Sequence, residues 1–194
     1  MDINHLERLD AKNYPNLKVL IERLQQWDRK AIASSLGAGT FAVFYDQLRP
    51  FYQDLPEPKI FPPSILLKAI NKTKAYLFKH FGSLEVSLGD YQKLVRGPIE
   101  LPIFGFPDVI TSMASRPFKD GKVKVVSGES YIELVRFSDK GTEIESVISY
   151  GSSDHEDSPH YNDQMELYAG FKTKKMSLDK ETVYNSAKRI YHPK

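Results

Sequence analysis

Ser158-Pro159-His160-Tyr161-Asn162-Asp163-Gln164 follows a β-patterned run, residues 144–150, and a polar loop, residues 151–157. It leads into Met165-Glu166-Leu167-Tyr168, which reads as helix. A serine before a proline is a helix-start signal: the hydroxyl accepts from a free N–H of the first turn, and proline at the first position lacks only an unused donor. The pattern therefore predicts a helix from Pro159 with Ser158 as its cap. Tyr161, Met165 and Tyr168 recur at helical spacing and are expected to face a core. A strand delivered into a capped helix gives structure and, by itself, no function.

Working backward, residues 130–137 and 143–150 are β-rich and flank Asp139-Lys140-Gly141, a hairpin-turn signal. Tyr131, Val135 and Phe137 alternate with Ile132 and Leu134, so apolar residues fall on both faces. That pattern predicts a central strand covered on both sides. A further strand is expected at residues 122–126. Residues 101–107 read as an apolar loop or edge segment and residues 89–97 as irregular. Three or four strands with helices on one side only would leave an apolar face or a strand edge uncovered, which invites self-association or a partner chain.

The first half reads as helical. In residues 16–33, Leu17, Leu20, Ile21, Leu24, Trp27 and Ala31 recur in steps of three and four, with Trp27 on the stripe as a core anchor rather than a pocket wall. Gly37-Ala38-Gly39 reads as a turn between helices, since it lacks both phosphate-loop glycine patterns. A second helix is expected over residues 40–52, with Phe41, Phe44, Tyr45, Leu48 and Tyr52 on one face. Pro56, Pro58, Pro62 and Pro63 make residues 55–63 a stiff linker, and residues 64–81 a third helix whose lysines form a solvated face. After the opening motif, residues 172–175 are expected as an exposed basic loop. Residues 179–191 are expected as a last helix with Val183, Ala187, Ile190 and Tyr191 inward. The fold class is α+β: a helical segment, residues 1–98, then a strand meander with C-terminal helices, residues 99–194.

Composition excludes several chemistries. The chain of 194 residues has 27 basic and 25 acidic side chains, which leaves no electrostatic footprint for nucleic acid. Without cysteine there is no disulfide, thiolate catalysis or thiolate metal site. No apolar run approaches the roughly 20 residues that span a bilayer. Residues 154–157, with His160 and Asp163, are dense in oxygen and imidazole ligands. They contain neither a His-Glu-x-x-His nor an EF-hand pattern, and His160 is expected in structural hydrogen bonds. No Gly-x-Ser-x-Gly elbow occurs.

Tyr150-Gly151, the Ser158–Gln164 stretch and Leu167-Tyr168 resemble the C-terminal end of penicillin-acylase-type enzymes, most of all the branch acting on acyl-homoserine lactones and lipopeptide antibiotics. Trp27-Asp28, Gly89-Asp90, Leu94-Val95-Arg96-Gly97, Leu101-Pro102, Gly128-Glu129-Ser130-Tyr131 and Lys188-Arg189-Ile190-Tyr191 follow in family order. Ser152 stands where that pattern has glutamine. The resemblance implies a C-terminal fragment of the four-layer αββα sandwich of N-terminal-nucleophile hydrolases, both halves of the chain being parts of one larger acylase domain. It implies hydrolysis of an N-acyl amide by a serine exposed at a new N-terminus, with the remainder of the acylase (an α subunit and the N-terminal part of the β subunit) or a second copy as partner, and a small acylated substrate in the complete enzyme. It also implies export to the periplasm or medium.

The family's serine follows Gly and precedes Asn. Gly82-Ser83-Leu84 and Gly151-Ser152-Ser153 do not fit, so no catalytic, cofactor-binding or metal residue is assigned, no cofactor is expected, and the chain alone is expected to be inactive. The alternative is a stand-alone, non-catalytic protein binding an acylated ligand through Phe41, Phe44, Phe104 and Phe106.

Overall fold

A computed structural model describes residues 3–52, 55–56, 60–107 and 109–190. Helices come first along it, then six consecutive strands, then two short helices flanking a last strand, an α+β order. The chain divides into two compact units, Met1–Gly128 and Glu129–Lys194.

In the first unit, α1 (Lys18–Gln26), α2 (Leu36–Leu48) and α3 (Pro63–Phe81) enclose a core of Leu20, Ile21, Leu24, Phe44, Leu48, Leu66, Ile70 and Leu77. These are stripe positions, and burying each contributes about 1.5–3 kcal/mol. α1 stops at Trp27, earlier than its periodicity suggests, because Trp27 turns extended to stack on Phe41 at 4.6 Å and meet Phe106 edge-on at 5.8 Å. Trp27 is thus the aromatic anchor its spacing predicts.

The glycines correct the sequence reading. Gly37 and Gly39 lie inside α2, and Ser35 caps it by accepting from Ala38 N–H at 3.1 Å. A Cβ on Gly37 would sit 2.5 Å from Trp27 Cδ1, and one on Gly39 2.0 Å from the Val86 carbonyl oxygen. They are contact glycines, there so that α1's end and the residue 86–88 backbone can approach. α3 behaves as expected: Pro62 and Pro63 begin it and Gly82, left-handed at φ +66°, ends it. Pro58 lies outside the described residues.

Residues 88–97 are regular rather than irregular. A single turn, α4 (Leu88–Tyr91), capped by Ser87, runs into β1 (Gln92–Arg96). With β2 (Ile99–Pro102), β3 (Met113–Pro117) and β4 (Val123–Gly128) it forms a sheet ordered β2-β1-β4-β3. Of residues 101–107, expected as an apolar loop or edge segment, 101–102 end the edge strand β2 and the rest is loop. β1 and β4 run parallel; the other pairs are antiparallel, with a bulge at Ala114/Ser115. The compositional change at residue 98 falls between the paired β1 and β2.

In the second unit, β5 (Tyr131–Ser138) and β6 (Gly141–Ile148) form the expected hairpin around Asp139-Lys140, with Gly141 at φ +117°. The sheet order is β5-β6-β7, where β7 (Lys174–Met176) takes up part of the expected basic loop. β5 is therefore an edge strand, not a central one, and most of it is exposed. The apolar alternation was read correctly, but coverage depends on what packs against the strand, which local pattern does not carry. The expectation of an uncovered face or unpaired edge describes this sheet.

The opening motif also differs. Residues 158–164 are turns, and the helix is the short α5 (Met165–Ala169), preceded by Gln164. Ser158 Oγ accepts from the exposed His160 N–H at 3.2 Å, a local turn bond rather than a helix cap. Met165 and Tyr168 are buried, as their spacing predicts, while Tyr161 is only half-buried. The last helix is shorter than expected, α6 (Lys180–Ser186), capped by Asp179. Val183 and Ile190 are exposed rather than inward, and Tyr191 lies outside the described residues.

Candidate functional site

Asp46 is the one charged residue of α2, half-buried where that helix faces α4. Tyr91, delivered by α4, donates its hydroxyl to Asp46 Oδ2 at 2.5 Å. Burial pushes the Asp46 carboxyl above the usual aspartate range, against the pull of the Tyr91 bond and the Arg49 charge. Burial, then the Asp46 charge, pushes the Tyr91 phenol far up. Both groups are driven toward their neutral forms, because the low-dielectric interior penalises charge.

The pair lines a cavity of about 170 Å³ between α2 and the sheet, with Arg49, Gln92, Phe106 and Ser115 among its walls. Gln92 is buried and fully used: Nε2 donates to the Phe104 and Gly105 carbonyls at 3.0 Å each, and Oε1 accepts from Ser115 Oγ at 3.0 Å. The cavity is below the roughly 300 Å³ at which small-molecule sites begin. The serine in its wall, Ser115, donates to the Gln92 amide rather than to a base. The arrangement can hold a proton at Asp46, shared with the Tyr91 hydroxyl, and Ser115 is not paired with a base.

Asp46, Tyr91, Gln92 and Ser115 were not singled out by sequence reasoning. The available signal was Asp46 itself, a lone acid in Phe41-Ala42-Val43-Phe44-Tyr45-Asp46. The aromatic ligand-binding set fares differently. Phe44, Phe104 and Phe106 are buried in the protein interior, and Phe41 packs between Trp27 and Phe106. These rings are core.

In the second unit, Gly151 and residues 158–164 form a joint around the end of β6. A Cβ on Gly151 would stand 2.1 Å from the His160 carbonyl oxygen. Ser153 N–H donates to that same carbonyl at 3.1 Å, and Gln164 N–H to Tyr150 C=O at 2.8 Å. The Gln164 side chain is buried, and its Oε1 accepts from Ile148 N–H at 3.2 Å. His160 Nδ1 and Asp163 Oδ2 pair at 2.8 Å, the structural bond expected of His160. His155 Nε2 lies 3.6 Å from Asp154, both exposed. Among the described residues no three His, Asp or Glu side chains converge as a metal ion would need. Tyr168 is held upward in pKa by burial and then by Glu129, and Ser149 Oγ donates to the Glu129 carbonyl.

The motif residues of the first unit do the same kind of work. Gly89 N–H donates to Ala33 C=O at 2.7 Å, and a Cβ there would meet Pro102 at 2.6 Å. Trp27, Gly89, Leu101-Pro102, Gly151 and Gln164 thus sit at close backbone approaches.

Comparison with known proteins places this arrangement. The penicillin amidase family model matches residues 3–185. The acyl-homoserine lactone acylase PvdQ of Pseudomonas fluorescens is 27% identical over 176 residues, which are 79% of this chain and 22% of that protein. The PvdQ of Pseudomonas putida is 38% identical over 71 residues, 35% of this chain and 9% of its own. A thermostable penicillin G acylase from Alcaligenes faecalis superposes with a TM-score of 0.46 at 17% identity, covering 99% of this chain and 46% of that one. The chain spans about a fifth of the length of the Pseudomonas fluorescens acylase, and with the family model running through both of its units, it belongs to the penicillin amidase family.

Proposed function

We propose that this chain is the C-terminal portion of an acylase that hydrolyses an N-acyl amide, of the acyl-homoserine lactone, penicillin or lipopeptide type, with a serine nucleophile supplied by polypeptide outside these residues. The single observation that carries the reading is the family match over residues 3–185 in a chain equal to 22% of its relative. Within that reading the chain is a scaffold. Its motif residues lock backbone junctions, and rigid support of this kind is what a catalytic constellation held to fractions of an ångström depends on. In the complete enzyme its two sheets would belong to the αββα sandwich. Ser115 donates to the Gln92 amide rather than to a base, which agrees with a nucleophile supplied from elsewhere.

The test is hydrolysis of an N-acyl-homoserine lactone and of penicillin G by two preparations. One is the purified 194-residue chain; the other is the chain co-expressed with the polypeptide encoded upstream of it. Hydrolysis by the pair and none by the chain alone is expected, since removing a nucleophile or its oxyanion donors costs orders of magnitude in rate. Turnover by the chain alone, abolished by substituting one of its own serines, refutes the scaffold assignment. An inert pair refutes the activity.

A further inference from the structure

The second unit presents a surface that the first does not. Directly paired residues of an antiparallel sheet share a face. Val135 pairs with Ile144 and Ile144 with Met176. Tyr131 lies on that side too, its hydroxyl 3.9 Å from Met176 Sδ, and Phe137 continues the row. This face is open: Tyr131 is 51% exposed, Val135 44%, Phe137 81% and Met176 44%. Along it runs the outer edge of β5, eight residues with no strand beside them among the described residues.

Self-standing proteins blunt such an edge with proline, a bulge, lysines or a covering loop. β5 has no proline and no lysine, its register against β6 is unbroken from Tyr131 to Ser138, and its one charge on this face, Glu133, accepts from the Tyr131 hydroxyl at 3.1 Å. One cross-strand row of this face, Val135–Ile144–Met176, is apolar over all three strands, beside a polar row of Glu133, Ser146 and Lys174. The segment lies inside the span matched by the family model, in a chain that is 22% of its relative. Most of that relative's length therefore lies outside the part this chain matches.

We infer that the β5 edge and the Tyr131–Val135–Phe137–Ile144–Met176 face are the docking surface for an extended strand of the remaining acylase polypeptide. The strand adds to β5 through main-chain hydrogen bonds, and its alternate apolar side chains cover the open face, the mode in which an edge strand supplies affinity and side-chain pockets supply specificity. This rests on the function proposed above but is separable from it.

The experiment is amide hydrogen exchange of the chain alone and of the chain co-expressed with the polypeptide encoded upstream, with mass in solution measured for both. Expected is a monomer whose residues 131–138 exchange fast, slowed roughly tenfold or more in the pair. Phe137→Asp combined with Val135→Asp should abolish co-purification while leaving the circular dichroism and exchange of the first unit unchanged, since both side chains are exposed. A complex with unprotected residues 131–138 overturns the inference. So do protection in a homodimer of the chain alone, an upstream frame with no acylase-family polypeptide, and a double variant that still co-purifies. Hydrolysis by a pair whose β5 stays unprotected leaves the acylase reading intact and removes this one. A protected but inert pair does the reverse.

Discussion

Gly39→Ala is the sharpest perturbation the first unit offers. In an unencumbered helix the change would stabilise, since glycine costs about 1 kcal/mol relative to alanine. Here the new Cβ would stand 2.0 Å from Val86 O, 2.6 Å from Ser87 C and 2.8 Å from Leu88 N, all backbone atoms. Ordinary contact requires the residue 86–88 segment to retreat by more than about 1 Å. That segment is tied to the start of α2 by Leu88 N–H to Ser35 C=O at 3.0 Å, and just beyond it Gly89 N–H reaches Ala33 C=O at 2.7 Å. Both bonds stretch out of range, at about 0.5–1.5 kcal/mol each. Overpacking adds about 1–3 kcal/mol. Net of the helical gain, Gly39→Ala should cost about 2–4 kcal/mol, a fall of about 1–2 M in urea midpoint. Trp27, the single tryptophan, reports the transition by fluorescence. Gly37→Ala is the companion: its Cβ meets Trp27 Cδ1 at 2.5 Å and Cγ at 2.9 Å, so it should displace the indole and shift its emission, with an overpacking loss of about 1–3 kcal/mol. A Gly39→Ala protein as stable as the parent would refute the close approach of α2 to residues 86–88.

Asp46 has its carboxyl raised in the folded state, so the folded chain binds more protons than the unfolded one above the ordinary aspartate pKa, and its contribution makes stability fall as pH rises from that value through the raised one. Asp46→Asn should remove this slope and leave the protein as stable or more stable at pH 7, read from urea midpoints between pH 4 and 8; a slope unchanged in the variant contradicts the assignment. Tyr91→Phe, which strips the buried Asp46 of its donor, should cost about 1–3 kcal/mol at pH 7. Gln164→Ala leaves Ile148 N–H without its acceptor and should destabilise the second unit by about 1–3 kcal/mol, whereas Ser158→Ala should cost less than about 0.5 kcal/mol, since the Ser158 bond is exposed. Equal losses in thermal melts would restore Ser158 as a true cap.

How far sequence carried the fold depends on where each element takes its definition. α3 was legible because local chemistry bounds it at both ends, proline at the start and a left-handed glycine after Phe81. The β5–β6 hairpin was legible for the same reason. α2 was misplaced because Gly37 and Gly39 carry the same letters as a turn but serve a contact with Trp27 and with residues 86–88, distant in sequence. The helix at Pro159 was a sound local inference, overridden when Gln164 N–H and Oε1 were taken by Tyr150 and Ile148. The Asp46–Tyr91 pair spans two helices and leaves no periodic trace beyond one acid in an apolar run.

The motifs that carry the family resemblance and the groups that carry perturbed protonation are different residues, and this division says what the chain contributes. Gly89, Gly151 and Gln164 spend their special character on backbone: absent Cβ atoms admit a neighbouring main chain, and an amide satisfies a strand N–H. None of the three lines the cavity that holds Asp46. Residues selected for reaction would instead present polar atoms to a space where substrate can stand, with an adjacent base. A family fingerprint built from close approaches is a fingerprint of geometry. It fixes how β6 meets α5 and how α2 meets α4, so its substitution should lower stability first. In the acylase proposed above, Gly151→Ala should therefore reduce the folded fraction while leaving turnover per folded molecule near that of the parent, because the clash with the His160 carbonyl is a folding defect. A folded, fully soluble Gly151→Ala enzyme with turnover reduced a hundredfold would place this joint in the reaction itself.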